Sequence, residues 1–138
     1  MTLDRSQIEA AGKLPTLLRE EVPVPSLGGA VVVRGMLLSE RLANDGANAA
    51  ARKPLQGETE DSARVRAGSL VIPRVLEVCV VDGEGNRLFS LAEWDAFGSA
   101  NRDEAYVLFN TAMRLSGQDM GDVEKNSLSS RTVDLPSS

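Results

Sequence analysis

The chain has 138 residues, 42% hydrophobic and 25% charged, which suits one domain with a core and argues against wholesale disorder. A net charge of -5 with scattered basic residues disfavours nucleic-acid binding, and the absence of histidine removes the usual catalytic base and the commonest metal ligand. One cysteine, Cys79, excludes an intrachain disulfide and any Cys-rich zinc site.

The acidity is concentrated in residues 58–138, which hold eight basic and fourteen acidic side chains. Residues 1–10 contain no apolar signal core. The longest apolar run, Leu70 to Val81, is interrupted by Pro73, Arg74 and Glu77, so no membrane span is expected. A cytoplasmic protein is the simple reading, and the unpaired cysteine agrees with it.

Asp4 with Gln7 reads as a capping box for a short helix that shares Ile8 and Ala11 on one face. Gly12 ends it and Pro15 blocks its resumption. Val22 to Met36 predicts a β-hairpin. Pro23 and Pro25 confine its first arm to an edge, Leu27-Gly28-Gly29 turn the chain, and Ala30 to Val33 form the second strand. Ser39 predicts the start of a polar helix near 40–52, weakened by Asn44, Gly46 and Asn48. Residues 53–60, with Pro54 and Gly57, read as a loop.

Asp61 or Ser62 can begin the next helix, in which Pro73 makes a kink or a fresh start at the first helical position. Val75, Leu76, Cys79 and Val80 form a helical stripe. Asp82 to Asn86 is a turn between extended pieces at 80–81 and 88–89. Ser90 and Glu93 then form a capping box, Phe89 and Trp94 a hydrophobic staple, and Gly98 the helix end. Asn101 with Glu104 opens the strongest helix, 102–116, whose apolar face carries Tyr106, Phe109 and Met113 beside Leu108, Ala112 and Leu115. Gly117 is its expected stop. Asp119 begins a last short helix through Lys125, and the Ser-rich residues 127–138 read as a disordered tail.

The fold class expected is therefore mainly α with a small β-hairpin, an α+β arrangement in a single domain over residues 1–126. All five aromatic residues fall between Phe89 and Phe109, so the core is expected at the C-terminal helices packed on 74–80.

The sharpest chemical coincidence is calcium. Counting from Asp82, oxygen ligands Asp82, Glu84, Asn86, Ser90 and Glu93 fall at positions 1, 3, 5, 9 and 12 of an EF-hand loop. Position 6 is Arg87, where that loop needs glycine, and a turn followed by a capping box accounts for the same residues. Gly83 and Gly85 lack the third glycine of a dinucleotide fingerprint. Cys79 reads as a buried structural thiol, and no serine has a recognisable base among Lys13, Lys53 and Lys125. The neighbouring carboxylates Glu20–Glu21 and Asp103–Glu104 read as solvated faces. The cluster of Trp94, Phe97, Tyr106 and Phe109 reads as core, with a partner groove as the alternative. No catalytic, cofactor-binding or metal-ligating residue is assigned.

The order of these pieces resembles the tail assembly chaperones of long-tailed bacteriophages and prophages with non-contractile tails. The resemblance rests on the opening helix ending in Leu14-Pro15, the Val22-Pro23-Val24-Pro25 arm leading through Gly28-Gly29 into Val31-Val32-Val33-Arg34-Gly35, and the polar helix begun by Ser39-Glu40-Arg41. It continues through Val80 to Ser90 and the closing helix to Arg114-Leu115-Ser116-Gly117, covering about residues 1–126. The resemblance implies a non-enzymatic assembly factor without cofactors. Its implied partners are the tape measure protein, which it keeps soluble and extended, and the tail tube protein, which it recruits. It implies action in the cytoplasm of the bacterial host and absence from the mature virion, with self-association left open. A structural component of the tail or head–tail joint and a small adaptor or regulatory domain are the alternative classes.

Overall fold

A computed structural model describes residues 1–117. The expected helix after 119 and the tail at 127–138 lie outside the described residues. The architecture is mainly helical with a small three-stranded antiparallel sheet, as the pattern of elements predicted.

Helix α1, Arg5–Ala10, begins with the expected capping box: Gln7 N–H donates to Asp4 Oδ1 at 2.9 Å, and Asp4 N–H donates to Gln7 Oε1 at 2.9 Å. Gly12, at φ +69°, stops it. None of its residues is buried.

Strand β1, Arg19–Val24, pairs with β2, Gly29–Arg34, placing Val22 opposite Val31 and Glu20 opposite Val33. The connection is a 3-10 turn over Pro25–Leu27, closed by Gly28 in the left-handed region at φ +80°. Proline pre-sets φ at the first position and glycine accepts the last. The two-residue side-chain period turns Val22, Val24, Val31 and Val33 to the core. Pro23 lies on the sheet's outer strand, where a missing N–H is tolerated.

Helix α2 spans Leu38–Ala51, starting one residue ahead of the expected Ser39 cap and running unbroken through Asn44, Gly46 and Asn48. Its cap comes from within: Leu37 N–H donates to Glu40 Oε1 at 2.9 Å. Glu40 also accepts two bonds of 2.8 Å from the Arg34 guanidinium, so the end of β2 holds the start of the helix. Those tertiary bonds offset the poor helix propensity of its middle.

The loop expected at 53–60 is present up to Thr59. Thr59, rather than Asp61 or Ser62, caps α3, Glu60–Ser69, by accepting from Ser62 N–H at 3.1 Å. Pro73 makes a fresh start rather than a kink: α3 ends, Leu70 serves as the joint, and α4 runs Val71–Cys79 with Pro73 third in line. Proline is accepted throughout the first turn because the N–H groups there have no intrahelical partner.

Strand β3, Val80–Val81, pairs with Val32 and Val33 of β2. The expected partner piece at 88–89 is not a strand; a single bridge joins Val81 to Arg87 instead. Helix α5, Leu91–Ala100, carries the Ser90–Glu93 capping box, and Phe89 packs edge-on to Trp94 at 4.8 Å between ring centroids. Gly98 does not end this helix, which continues to Ala100 and stops at Asn101. Helix α6, Arg102–Leu115, packs alongside, and a Cβ at Gly98 would reach Ala105 Cβ at 3.7 Å, an ordinary contact. Gly117, at φ +91°, follows α6 as expected.

The core is centred on α4, α5 and α6, where Leu76, Trp94 and Leu108 are fully buried. Two corrections apply. Tyr106 is not core: it is 47% exposed, because Ala105, Leu108 and Ala112 form the inward face of α6. Phe109 and Met113 are partly buried at its margin. The N-terminal half also contributes more than its lack of aromatics implied, for Val22, Val24, Val31, Val33 and Met36 belong to the same core.

Candidate functional surfaces

The calcium-like residues are consumed by local structure. Asp82 Oδ1 accepts from the backbone N–H groups of Glu84 at 2.8 Å and Asn86 at 2.9 Å, which hold its carboxyl below the usual range. Ser90 and Glu93 bond to each other's backbone at the head of α5. Arg87 leans toward Glu40 at 3.9 Å instead of serving a loop. Among the described residues no three cysteine or acidic side chains gather as a metal site.

Cys79 is fully buried, and burial pushes its thiol up to about 12, with Arg34 opposing the shift. A nucleophile needs the opposite shift. Lys13 and Lys53 are exposed, and Lys125 lies outside the described residues. The solvated-face reading holds for Glu21 and Asp103, which are exposed, but not for Glu104, which is half-buried. Glu20 forms an ion pair with Arg114, and Glu104 accepts from Ser26 N–H at 3.3 Å. Among the described residues no helix is long and apolar enough to cross a membrane.

Two surfaces remain unexplained by packing. The first is α2. An amphipathic surface helix ordinarily turns its apolar stripe inward. Here Leu38 and Leu42, one turn apart, are 73% and 62% exposed, while Glu40, Arg41, Asn44, Ala47, Asn48 and Ala51 are the half-buried positions. No residue of the helix is fully buried. Its polar side is held to the body by the Arg34–Glu40 pair and by Arg41 Nη1 donating to Ser116 O at 3.4 Å. The head of the helix is thus docked by polar side chains, Ala47 and Ala51 join Asn44 and Asn48 on the inward side further along, and the leucines lie on the exposed side. Leu37 extends the exposed set at its head.

The second is a groove of about 370 Å³ where the α3–α4 joint faces α5 and α6. Gly68, Ser69 and Gly98 line it with small side chains, Ile72, Trp94 and Tyr106 with large ones. Asp95 and Arg102 also border it, and neither forms an ion pair among the described residues. Trp94 is fully buried and makes an edge contact with Phe97 at 5.2 Å, yet its indole N–H has no acceptor among the described residues.

Of the aromatic cluster singled out in the sequence, the structure brings Trp94 and Tyr106 to this groove, buries Phe97 and leaves Phe109 at the core margin. Gly68, Asp95 and Arg102 carried no motif. The exposed leucines of α2 did carry a signal in their four-residue spacing, but a surface stripe and a core stripe have the same period.

No family model matches this chain, and neither curated proteins nor solved structures yield a match.

Proposed function

We propose that this protein is a non-enzymatic phage tail assembly chaperone that binds the tape measure protein and helps recruit tail tube protein. In this reading it works in the bacterial cytoplasm and leaves before the virion is finished. The observation that supports it is helix α2, which offers Leu38 and Leu42 to solvent while Glu40 and Arg41 hold its head to the body. Removing one such side chain from water is worth about 1.5–3 kcal/mol. A domain built this way can cover apolar helical faces of a long client reversibly, by the helix-packing mode of peptide recognition. The order of elements supports the specific client, because the hairpin, polar helix, turn and closing helix follow the sequence of pieces in that chaperone family.

Co-expression with the tape measure product of the neighbouring gene tests the function. The client is expected to become soluble and to co-purify at both about 50 and about 500 mM salt, since apolar burial is not screened. The double variant Leu38→Asp with Leu42→Asp should lose the client while keeping its thermal midpoint, because neither leucine packs in the core. A client that stays insoluble with the unaltered protein contradicts the function. Finding the protein in purified virions at fixed stoichiometry would make it a structural component instead.

A further inference from the structure

We propose that the outer edge of strand β1 is the interface through which two copies of this chain pair, strand against strand about a two-fold axis. The inference is independent of the chaperone reading. The first observation is that this edge is open. Gly35 N–H donates to Leu18 O at 3.0 Å, so the backbone groups of Leu18 face β2. Alternation along an antiparallel strand then turns those of Glu20, Val22 and Val24 to β2 and those of Arg19, Glu21 and Pro23 outward. The N–H groups of Arg19 and Glu21 have no acceptor among the described residues. Pro23 stands at an outward position, where its missing N–H takes nothing from the pairing with β2. The other edge of the sheet is short and partly closed, for β3 has two residues and Val81 is bridged to Arg87. An unpaired edge is a template for a further strand.

The second observation is charge, and it selects the occupant. A two-fold contact is self-complementary: if one residue meets another across it, the reverse pair forms as well. The outward positions exchange the hydrogen bonds, so the central registers place Arg19 on Arg19, Glu21 on Glu21, or Arg19 on Glu21 of the second copy. Directly opposite residues attract when their charges differ and repel when they match. The first two registers join like charges. The third is centred on Glu20 and forms the Arg19–Glu21 pair twice by symmetry. Both side chains are exposed, and neither has an ion-pair partner among the described residues. The same register sets Leu17 against Pro23 and the exposed Leu18 against Val22 of the second copy, apolar on apolar. Glu20 meets its own counterpart at the axis, where the ion pair with Arg114 of its own chain compensates the like charge. Pro23 ends the ladder, because it has no donor to extend it. A second copy of this strand therefore matches the edge in backbone, charge and apolar contact.

Sedimentation equilibrium of the full chain, from about 1 µM to about 1 mM, tests the pairing across the range of weak to moderate affinity. The mass is expected to rise with concentration from the 14.7 kDa of one chain toward twice that value. Arg19→Glu and Glu21→Arg, each alone, make both cross-strand pairs repulsive and should weaken association about tenfold. The two reversals combined in one chain restore opposite charges in the register centred on Glu20 and in neither of the others, so association should return. Thermal midpoints at low concentration check that the variants fold. Amide exchange read residue by residue gives a second measure. The N–H groups of Arg19 and Glu21 should exchange freely at low concentration and become protected as the mass rises, while those of Glu20 and Val22 are protected throughout by β2. A monomer mass at every concentration overturns the proposal and makes Arg19, Glu21 and Pro23 a guard against edge pairing. Association that the single reversals leave unchanged, that the double reversal fails to restore, or that leaves the Arg19 and Glu21 amides exchanging freely overturns it too. The chaperone reading is decided separately, by co-purification with the tape measure protein.

Discussion

Gly35 shows how one missing side chain sets the distance between two elements. A Cβ at this position would lie 2.4 Å from Leu115 O, far inside contact distance. The close approach lets Met36 N–H donate to Ser116 Oγ at 2.9 Å, so the end of the hairpin is fixed to the end of α6. Gly35→Ala must push α6 away and is expected to lower stability by about 2 kcal/mol, within the range for overpacking. Urea denaturation checks this, and an unchanged midpoint would contradict it. A second residue-scale effect concerns acid. Arg66 donates to both oxygens of Glu58 at 2.9 Å and, with the Leu55 N–H, holds its carboxyl at about 2 against an ordinary 4.5. The folded state thus favours the ionised form. Its stabilisation is complete above pH 4.5 and fades as pH falls toward 2. Glu58→Gln should be less stable at neutral pH and lose less on acidification, as urea midpoints on both sides of that window will show. Cys79 behaves in the opposite sense. With its thiol at about 12, it should resist thiol reagents in the native protein and be labelled only as the protein unfolds.

Elements defined by local chemistry were legible in the sequence, and those defined by tertiary contact were not. The capping boxes at Asp4 and Ser90 and the Phe89–Trp94 staple appear where the spacing put them, because each needs only four or five consecutive residues. Ser90→Ala is accordingly expected to cost about 1 kcal/mol, measurable as a lower thermal midpoint. The hairpin arms were readable from alternating valines and paired prolines. Helix α2 was legible as a polar helix, but its start at Leu38 was not, because that end is held by Arg34, six residues upstream of Glu40, and no propensity scale contains that bond. The inward face of α6 was misassigned for a similar reason. Size pointed to Tyr106, but the face of α6 turned to the core carries Ala105, Leu108 and Ala112, and Tyr106, next to Ala105, falls outside it. The candidate surfaces were the least legible part. A groove is a property of four helices meeting, and the loose polar atoms of Trp94 and Asn48 exist only once those helices are placed.

At the scale of the molecule, the packing divides the chain into a tight unit and attached parts. The hairpin, α4, α5 and α6 share one core, whereas α1 and α2 bury no residue completely. Backbone amides of α6 should therefore exchange only through global unfolding, and those of α1 and α2 through cheaper local opening. The two loose helices should differ from each other. Helix α1 is held by its own cap and the Arg5–Glu9 pair, an exposed contact of little worth. Helix α2 is fastened at its head by Glu40 and Arg41, and beyond Asn44 it has only half-buried contacts with α3 and α4. Opening of α2 should begin at its C-terminal end and leave the first turn protected longest. Hydrogen exchange resolved by peptide fragments tests this gradient. Protection across 44–51 equal to that in α6, or loss beginning at Leu38, would contradict it. On the proposed chaperone function, a bound client should raise protection across α2 without altering α6, because a partner covering Leu38 and Leu42 removes the local opening and leaves the core as it was.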